Sequence, residues 1–222
     1  MSKKLKNLKN TDKIIRIDHT NPRPDLISDA ALTIKKGGVI SFPTRYLYGL
    51  GADAFNADAV DKVFRIKQRP YNKPLLVLVD KIENLTRLVR NVPSAAIHIM
   101  ERFWPGEVTI VFEAKESLPE NLTAGTDKIG VRMPEHPVAL ALTNSVNGPI
   151  TATSANITGH GGCSRVQDLD PFIAEKIDLI LDAGPLKGGI GSTVIDVTVD
   201  PPKILREGAV SAKVILAALD RT

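Results

Sequence analysis

Short apolar segments of five to seven residues alternate along this chain with longer segments that have helical spacing. Apolar runs of this length, bounded by Gly, Pro and Asp, are typical of buried strands. Nine of them read as strands: KIIRID, VISFP, PLLVLV, EVTIVFE, KIGVRMP, PITAT, DLILDAG, STVIDVT and KILRE. They do not follow a strict strand–helix–strand rhythm, so the sequence predicts an α/β fold with a twisted, mixed parallel and antiparallel sheet flanked by helices.

The organisation of the 222 residues indicates one domain preceded by a tail. No linker, internal repeat or low-complexity tract interrupts residues 13–222, which we interpret as the domain. Residues 1–12 read as a flexible basic tail, because residues 1–13 contain five lysines and one aspartate, and the rest of the chain holds 24 basic and 24 acidic residues. The tail could contact RNA, or it could simply aid solubility.

The composition also indicates in which cellular compartment the protein is found. No apolar run reaches the roughly 18 residues of a membrane span, and the N-terminus lacks the apolar core of a secretory signal. Cys163 is the single cysteine of the chain, so an internal disulfide is impossible. We therefore expect a soluble, cytoplasmic protein with no membrane partner.

Three cations lie close together in the stretch IKQRPYNKPL: Lys67, Arg69 and Lys73. Pro70 ends the preceding helix, and cations in a last helical turn complement the helix dipole. The cluster also precedes an apolar strand, and Lys and Arg at the rim of a sheet suit polyphosphate recognition. The residues alone leave both interpretations open.

Other polar residues stand at strand ends beside glycines. Ser154 and Asn156 precede a loop with Gly159, Gly161 and Gly162, where backbone can approach a ligand closely. The same pattern of strand-terminal Thr, Ser and Arg near glycine-rich turns recurs at Thr44, Arg132, Ser192 and Arg206. Together these residues predict a site for a small anionic ligand.

Several familiar sites are absent from the sequence. It contains no GxxxxGK[ST] phosphate loop, no GxGxxG after the first strand, no CxxC and no HExxH. We expect no metal ligands from protein side chains. An enzyme built this way acts by positioning its substrates and neutralising charge.

Seven blocks occur in an order that resembles the YrdC-like family, whose best-known members are threonylcarbamoyl-adenylate synthases. The blocks are FPTRYLYGLGADAFN, KQRPYNKPLLVLV, FWPGEVTIVF, GVRMPEHPVA, TATSANITG, GSTVIDVT and ILREGAV. The resemblance runs from about residue 13 to the C-terminus and is closest to the short, single-domain members.

The resemblance implies a reaction in which L-threonine, bicarbonate and ATP give threonylcarbamoyl-AMP and pyrophosphate, for later modification of tRNA. Mg2+ would enter with ATP, and other proteins would pass the threonylcarbamoyl group to tRNA. By the resemblance, Lys67 and Arg69 are catalytic and the threonine site consists of Thr44, Arg132 and Ser192. The ATP site then comprises Lys67, Arg69, Lys73, Ser154, Asn156, Gly162 and Arg206.

The chain departs from the family pattern near the expected amino-acid site. PTRYLYG stands where the family usually has PTDT or PTET followed by Val-Tyr-Gly, so Arg45 and Tyr46 replace an acid and a small hydroxyl. In addition, WPGE replaces the usual WPGP. Two alternatives stay open: an RNA-binding module of the same fold, since members of the family have been linked to double-stranded RNA, and a divergent paralogue that uses another amine or carbamoyl substrate.

Overall fold

A computed structural model describes residues 13–219 of the chain. The predicted basic tail, residues 1–12, and the last three residues of the predicted domain lie outside the described residues. The described part forms the α/β fold with a mixed sheet that the sequence predicts, so this prediction is confirmed.

The structure contains ten strands and seven α-helices within residues 13–219. The strands are β1 (Ile14–Arg16), β2 (Ile40–Pro43), β3 (Tyr48–Gly51), β4 (Leu76–Leu78), β5 (Val108–Glu113), β6 (Lys128–Arg132), β7 (Ile150–Ser154), β8 (Leu179–Asp182), β9 (Thr193–Asp196) and β10 (Lys203–Arg206). The α-helices are α1 (Pro24–Lys35), α2 (Ala57–Lys67), α3 (Ser94–Phe103), α4 (Glu120–Thr123), α5 (Pro137–Val146), α6 (Pro171–Lys176) and α7 (Ala212–Leu219). Two 3-10 helices cover Ile82–Arg87 and Val166–Asp168.

The strands form one sheet in the order β1-β8-β2-β3-β7-β4-β6-β5-β9-β10. The pairs β1–β8, β2–β8, β4–β6 and β5–β9 are parallel, and the other five described pairs are antiparallel. This mixture explains why the sequence lacks a regular strand–helix–strand rhythm, since antiparallel neighbours need no helical crossover.

The sequence predicts nine of these ten strands and misses β3. The stretch YGLG reads as a glycine-rich turn, yet it pairs with β2 and β7. Its glycines lie against the ring of Phe42 on β2, and a Cβ atom at Gly51 would come within 2.7 Å of that ring. Glycine here makes room for a neighbouring aromatic side chain rather than forming a turn.

The two faces of the sheet are covered unequally. Helices α2, α3, α4, α6 and α7 contribute buried residues to the larger apolar cluster on one face. Helices α1 and α5 pack together on the other face, but their cluster covers mainly the half of the sheet that contains β8, β2, β3 and β7. The remaining half of that face, from β4 to β10, carries the cavity described below.

A ten-residue connection, residues 183–192, joins β8 near one edge of the sheet to β9 near the other. It is fastened on its way by the Gly188 amide, which donates to the carbonyl of Tyr46 at 2.9 Å, and by the Leu186 amide, which donates to Ser164 at 2.8 Å. We call residues 183–192 the strap; it ends at the cavity with Gly191 and Ser192.

Residues 13–219 contain no helix with the length and apolar character that a membrane crossing requires.

Candidate active site

A cavity of about 640 Å³ lies over the uncovered half of the sheet. Its floor consists of every second residue of β6, β5 and β9, because alternate side chains of a strand point to the same face. The intervening residues, such as Val131 and Ile110, belong to the apolar core on the opposite face. Gly130 contributes no side chain to the floor and so leaves space in the cavity. A Cβ at this position would lie 3.3 Å from Thr109 and 3.4 Å from Leu76.

The charged side chains that line the cavity are more often cationic than anionic. Four are cations and two are carboxylates: Arg69, Lys128, Arg132, Arg206, Glu107 and Asp196. Each carboxylate is paired with a cation of the lining, Glu107 with Arg132 and Asp196 with Lys128. Among the described residues, Arg69 and Arg206 have no acidic partner, so the cavity carries two uncompensated positive charges and suits an anionic ligand.

Arg206 is held at the end of β10 by Ser192. Its Nη2 donates to the Ser192 carbonyl at 2.7 Å, and the Ser192 hydroxyl lies 2.7 Å from that of Thr109 on β5. Burial lowers the pKa of the Arg206 guanidinium, and the positive charge of Arg132 lowers it further. An anion between Arg132 and Arg206 would relieve this repulsion.

Glu107 and Arg132 form a buried ion pair at this end of the cavity. Arg132 Nη1 donates to Glu107 Oε2, and each residue is 7% exposed. The Nε of Arg132 is buried and has no hydrogen-bond partner. Nη2 likewise has no partner among the described residues but is not buried, so the guanidinium has a donor open to the cavity that can bind a ligand oxygen.

Lys67 is fully buried at the end of helix α2, although the sequence places it in a cationic cluster at the rim of the sheet. Its ammonium donates to the carbonyls of Ser154 and Asn156 and lies 3.3 Å from Asn156 Oδ1. Burial lowers the pKa of Lys67 to about 7, with a further contribution from Arg69. Lys67 thus holds the turn that follows β7 and does not itself line the cavity.

The other members of the predicted nucleotide site are distributed around that turn. Ser154 lines the cavity, whereas Asn156 is buried and its amide donates to the carbonyls of Ile157 and His160, which closes the glycine loop. Gly162 packs against Leu47 of the lining, since a Cβ there would come within 2.8 Å of the Leu47 Cδ1. The loop therefore shapes the wall through Ser154 and Leu47.

Arg69 and Lys73, two residues of the predicted cluster, differ in position. Arg69 lines the cavity and donates from Nε and Nη2 to the carbonyls of Lys73 and Pro74, at 2.9 and 2.8 Å. Burial lowers the pKa of Arg69, and the positive charge of Arg206, which also lines the cavity, lowers it further. Lys73 is exposed and lies outside the lining.

Thr44 lies on the wall formed by the turn between β2 and β3. Its hydroxyl donates to the carbonyl of Leu47 at 2.6 Å, so the oxygen keeps lone pairs for a ligand. The neighbouring Arg45 is outside the lining and pairs with Glu135, and β2 has already ended at Pro43. Tyr46 does line the cavity, and its backbone carbonyl accepts the hydrogen bond from the Gly188 amide of the strap.

The structure thus places six predicted site residues on one cavity: Thr44, Arg69, Arg132, Ser154, Ser192 and Arg206. It places Lys67, Asn156 and Gly162 behind the wall and Lys73 on the surface. Sequence reasoning missed Glu107, Thr109, Lys128 and Asp196 as lining residues. Each is separated by an even number of residues from another lining residue of the same strand. The alternation of side chains along a strand would therefore have identified them, had it been known which face of the sheet carries the cavity.

No three His, Cys, Asp or Glu side chains within residues 13–219 are grouped so that they could hold a metal ion.

Comparisons with known proteins point to one family. The family model Sua5_yciO_yrdC, described as telomere recombination, matches residues 32–208. A threonylcarbamoyl-AMP synthase of Pyrococcus abyssi is 40% identical over 81% of this chain and 53% of its own length. One of Bacillus subtilis is 36% identical over 91% of this chain and 59% of its own length. The chain therefore spans somewhat more than half of these curated relatives.

Solved structures show the same fold. Sua5 of P. abyssi complexed with L-threonine superposes with a TM-score of 0.87 at 37% identity, over 93% of this chain and 60% of that protein. YciO of E. coli has a TM-score of 0.82 at 30% identity, over 90% of this chain and 97% of that protein.

Proposed function

The chain belongs to the Sua5/YciO/YrdC family, and on that premise we propose that it synthesises threonylcarbamoyl-AMP from L-threonine, bicarbonate and ATP, with release of pyrophosphate. The observation that carries the proposal is the composition of the cavity. Arg69 and Arg206, which have no acidic partner within residues 13–219, line the same cavity as the Arg132–Glu107 pair and the hydroxyls of Thr109 and Ser192. This set matches a polyphosphate together with an amino acid.

The nucleotide phosphates would lie against Arg69, Ser154 and Arg206. The planar guanidinium is suited to phosphate because its donors form a fork, and it keeps its positive charge even when burial lowers its pKa. Lys67 and Asn156 support this end from behind, since their hydrogen bonds fix the turn that presents Ser154. In this arrangement Lys67 is a positioning residue, and Gly162 lets the loop close against Leu47.

L-Threonine would occupy the end that contains Arg132 and Ser192, with Thr44 on the opposite wall. The carboxylate suits the two neighbouring guanidiniums of Arg132 and Arg206, whose mutual repulsion it would reduce. The relative crystallised with L-threonine is consistent with an amino-acid site in this fold.

The chemistry that follows requires positioning more than acid–base groups. The ammonium of threonine first loses a proton to solvent. The free amine then attacks the carbon of bicarbonate, with loss of water, or that of CO2, with loss of one further proton, and gives a carbamate. A carbamate oxygen then attacks the α-phosphorus of ATP, and pyrophosphate leaves with the electrons of the broken P–O bond. The arginines stabilise the negative charge that develops on the phosphoryl oxygens.

A Mg2+ ion would enter with ATP. The cavity offers two carboxylates, and both already pair with cations, so the phosphates would supply the ligands from the substrate side. The bound ion would reduce the charge on the leaving pyrophosphate.

The product would serve tRNA modification, and proteins that transfer the threonylcarbamoyl group to tRNA are the expected partners. A tRNA-modifying role would place the protein in the cytoplasm.

Pyrophosphate release tests the proposal directly. The protein is incubated with ATP, Mg2+ and bicarbonate and with one of several amino acids, and the nucleotide product is identified by mass spectrometry. We expect pyrophosphate with L-threonine and none when bicarbonate or amino acid is omitted. Arg206→Ala should abolish release, while Arg102→Ala, a change on helix α3 outside the cavity lining, should not. Equal pyrophosphate release in the absence of any amino acid would contradict the proposal.

A further inference from the structure

Glu107 is the one carboxylate at the end of the cavity where Arg132 and Ser192 lie. It immediately precedes β5, and its carbonyl accepts the Thr193 amide of β9 at 3.0 Å. On its other side, the Gly106 amide donates to Met133 after β6 at 2.9 Å. The backbone on both sides of Glu107 is therefore fixed between two strands, and its side chain faces the cavity as that of Thr109 does.

The Glu107 carboxylate uses only one of its two oxygens within the protein. Oε2 accepts from Arg132, and Oε1 has no hydrogen-bond partner among the described residues. Oε1 is also not one of the buried side-chain atoms that lack a partner, so it is open to the space of the cavity. An ionised carboxylate oxygen that is open to a cavity accepts a hydrogen bond from a bound donor.

Its partner Arg132 shows the complementary feature. Nη2 has no hydrogen-bond partner among the described residues and is not one of the buried atoms without a partner, so it is open to the cavity, whereas Nε is buried. The pair thus offers an unused acceptor and an unused donor side by side. Keeping two charges below one-tenth exposure costs desolvation free energy, which a single hydrogen bond between them does not fully offset. A ligand that carries both charges on adjacent groups would satisfy both residues.

We propose that Glu107 is a specificity-determining residue that accepts a hydrogen bond from the substrate's α-ammonium group, while Arg132 and Arg206 face its α-carboxylate. The site then recognises the zwitterion and excludes hydroxy acids of the same shape. This inference rests on the proposed function, since it presumes an amino-acid substrate. A charge-assisted hydrogen bond of this kind corresponds to about 10- to 100-fold in affinity.

Two ligands that differ only in this group provide the test: L-threonine and 2,3-dihydroxybutyrate of matching configuration, in which a hydroxyl replaces the ammonium. Their dissociation constants are measured by calorimetry at saturating α,β-methylene ATP, which cannot release pyrophosphate. We expect the wild-type protein to prefer threonine by at least ~10-fold. Glu107→Gln should weaken threonine binding by ~10- to 100-fold and leave the hydroxy acid within ~3-fold, whereas Glu107→Asp should retain the preference.

A variant at a second buried carboxylate, outside the cavity, is the control for a general loss of stability. Asp182 on β8 is 7% exposed, lies outside the lining and accepts the Gly184 amide and, at 3.3 Å, the hydroxyl of the lining residue Tyr48. Asp182→Asn removes the buried charge and keeps a side-chain oxygen that can accept both hydrogen bonds. It should lower the melting temperature and leave the ratio of the two dissociation constants unchanged. If Glu107→Gln does not fold, the ratio in Glu107→Asp and wild-type protein decides the question, because a preference below ~3-fold in the wild type overturns the inference.

The outcomes separate this inference from the proposed function. Pyrophosphate release with threonine, combined with an unchanged ratio in Glu107→Gln, would overturn the role of Glu107 and leave the synthase proposal standing. Failure of the wild-type protein to bind any amino acid or to release pyrophosphate would overturn both.

Discussion

The ammonium of Lys67 and the carbonyl oxygen of Asn156 lie 2.7 Å apart in the interior of the protein. A second donation from the same ammonium reaches the carbonyl of Ser154, the last residue of β7. Lys67 thus satisfies two carbonyls in a turn that forms no regular ladder, which explains why a lysine is buried at the end of helix α2.

Lys67→Met is expected to destabilise the protein by about 1–3 kcal/mol, because buried carbonyl oxygens lose their donor. Urea unfolding at pH 7 measures the change. Lys73→Met is the matched control, since Lys73 is exposed and should change the free energy of unfolding by no more than about 0.5 kcal/mol. Equal stability of the two variants would show that Lys67 does not hold the turn.

Arg69→Ala is expected to reduce pyrophosphate release at least ~100-fold without a large loss of stability. Its guanidinium lines the cavity and is only half-buried, and its hydrogen bonds to Lys73 and Pro74 carbonyls can be replaced by water. Steady-state kinetics and thermal melting are measured on the same preparations. Arg69→Lys should recover part of the activity as a point charge; full activity of Arg69→Ala would remove Arg69 from the phosphate site.

Thr44 and Arg45 are neighbours with different surroundings, so their substitutions should have different effects on threonine binding. Thr44→Ala should weaken threonine binding at least ~10-fold, the equivalent of one buried hydrogen bond. Arg45→Gln should change it less than ~3-fold, because Arg45 lies outside the cavity lining and pairs with Glu135 near the surface. Titrations at two salt concentrations measure both effects. A large, salt-sensitive effect at Arg45 would mean that its side chain reaches the site.

Local pattern predicts much of this fold. The apolar runs predict nine of the ten described strands. The order of the strands could not be predicted, because β8 joins β1 and β2 across most of the chain and pairing of this kind depends on tertiary packing.

The residues of the site also divide into those that local pattern predicts and those whose contacts depend on tertiary structure. Arg132 and Arg206 could be identified because an arginine at a strand end breaks an apolar pattern. The ion pair of Glu107 with Arg132 could not, since the two are neighbours only through the pairing of β5 with β6. Burial of Lys67 was missed for another reason: its partners are backbone carbonyls, and carbonyl positions leave no mark in the sequence.

His136 should make stability depend on pH. It caps helix α5 by accepting the Val138 amide at Nδ1, and burial lowers its pKa to about 4, with a smaller contribution from His19. The unfolded chain binds a proton near pH 6.5 and the folded chain does not, so this contribution is present above pH 6.5 and is lost as the pH falls toward 4. We expect a loss of about 1–2 kcal/mol, reduced by partial exposure.

The matched variant for that measurement is His136→Asn, which keeps a side-chain acceptor at the helix start but does not titrate. Urea unfolding of both proteins between pH 7 and pH 4 gives the difference in free energy. Parallel curves for the two proteins would show that His136 does not contribute to the pH dependence.

Gly208 permits the close approach that places Ser192 at the cavity. A Cβ at this position would lie 2.3 Å from the Gly191 carbonyl oxygen and 2.5 Å from the Ser192 carbonyl carbon, so Gly208→Ala must displace the end of the strap. Since Ser192 positions Arg206, we expect at least ~10-fold weaker threonine binding and a lower melting temperature. Gly161→Ala is the control, because a Cβ there meets nothing within 4 Å, and it should bind threonine as the wild type does. Wild-type affinity and melting in Gly208→Ala would show that the strap tolerates the displacement, and that Ser192 is held at the cavity by something other than its contact with Gly208.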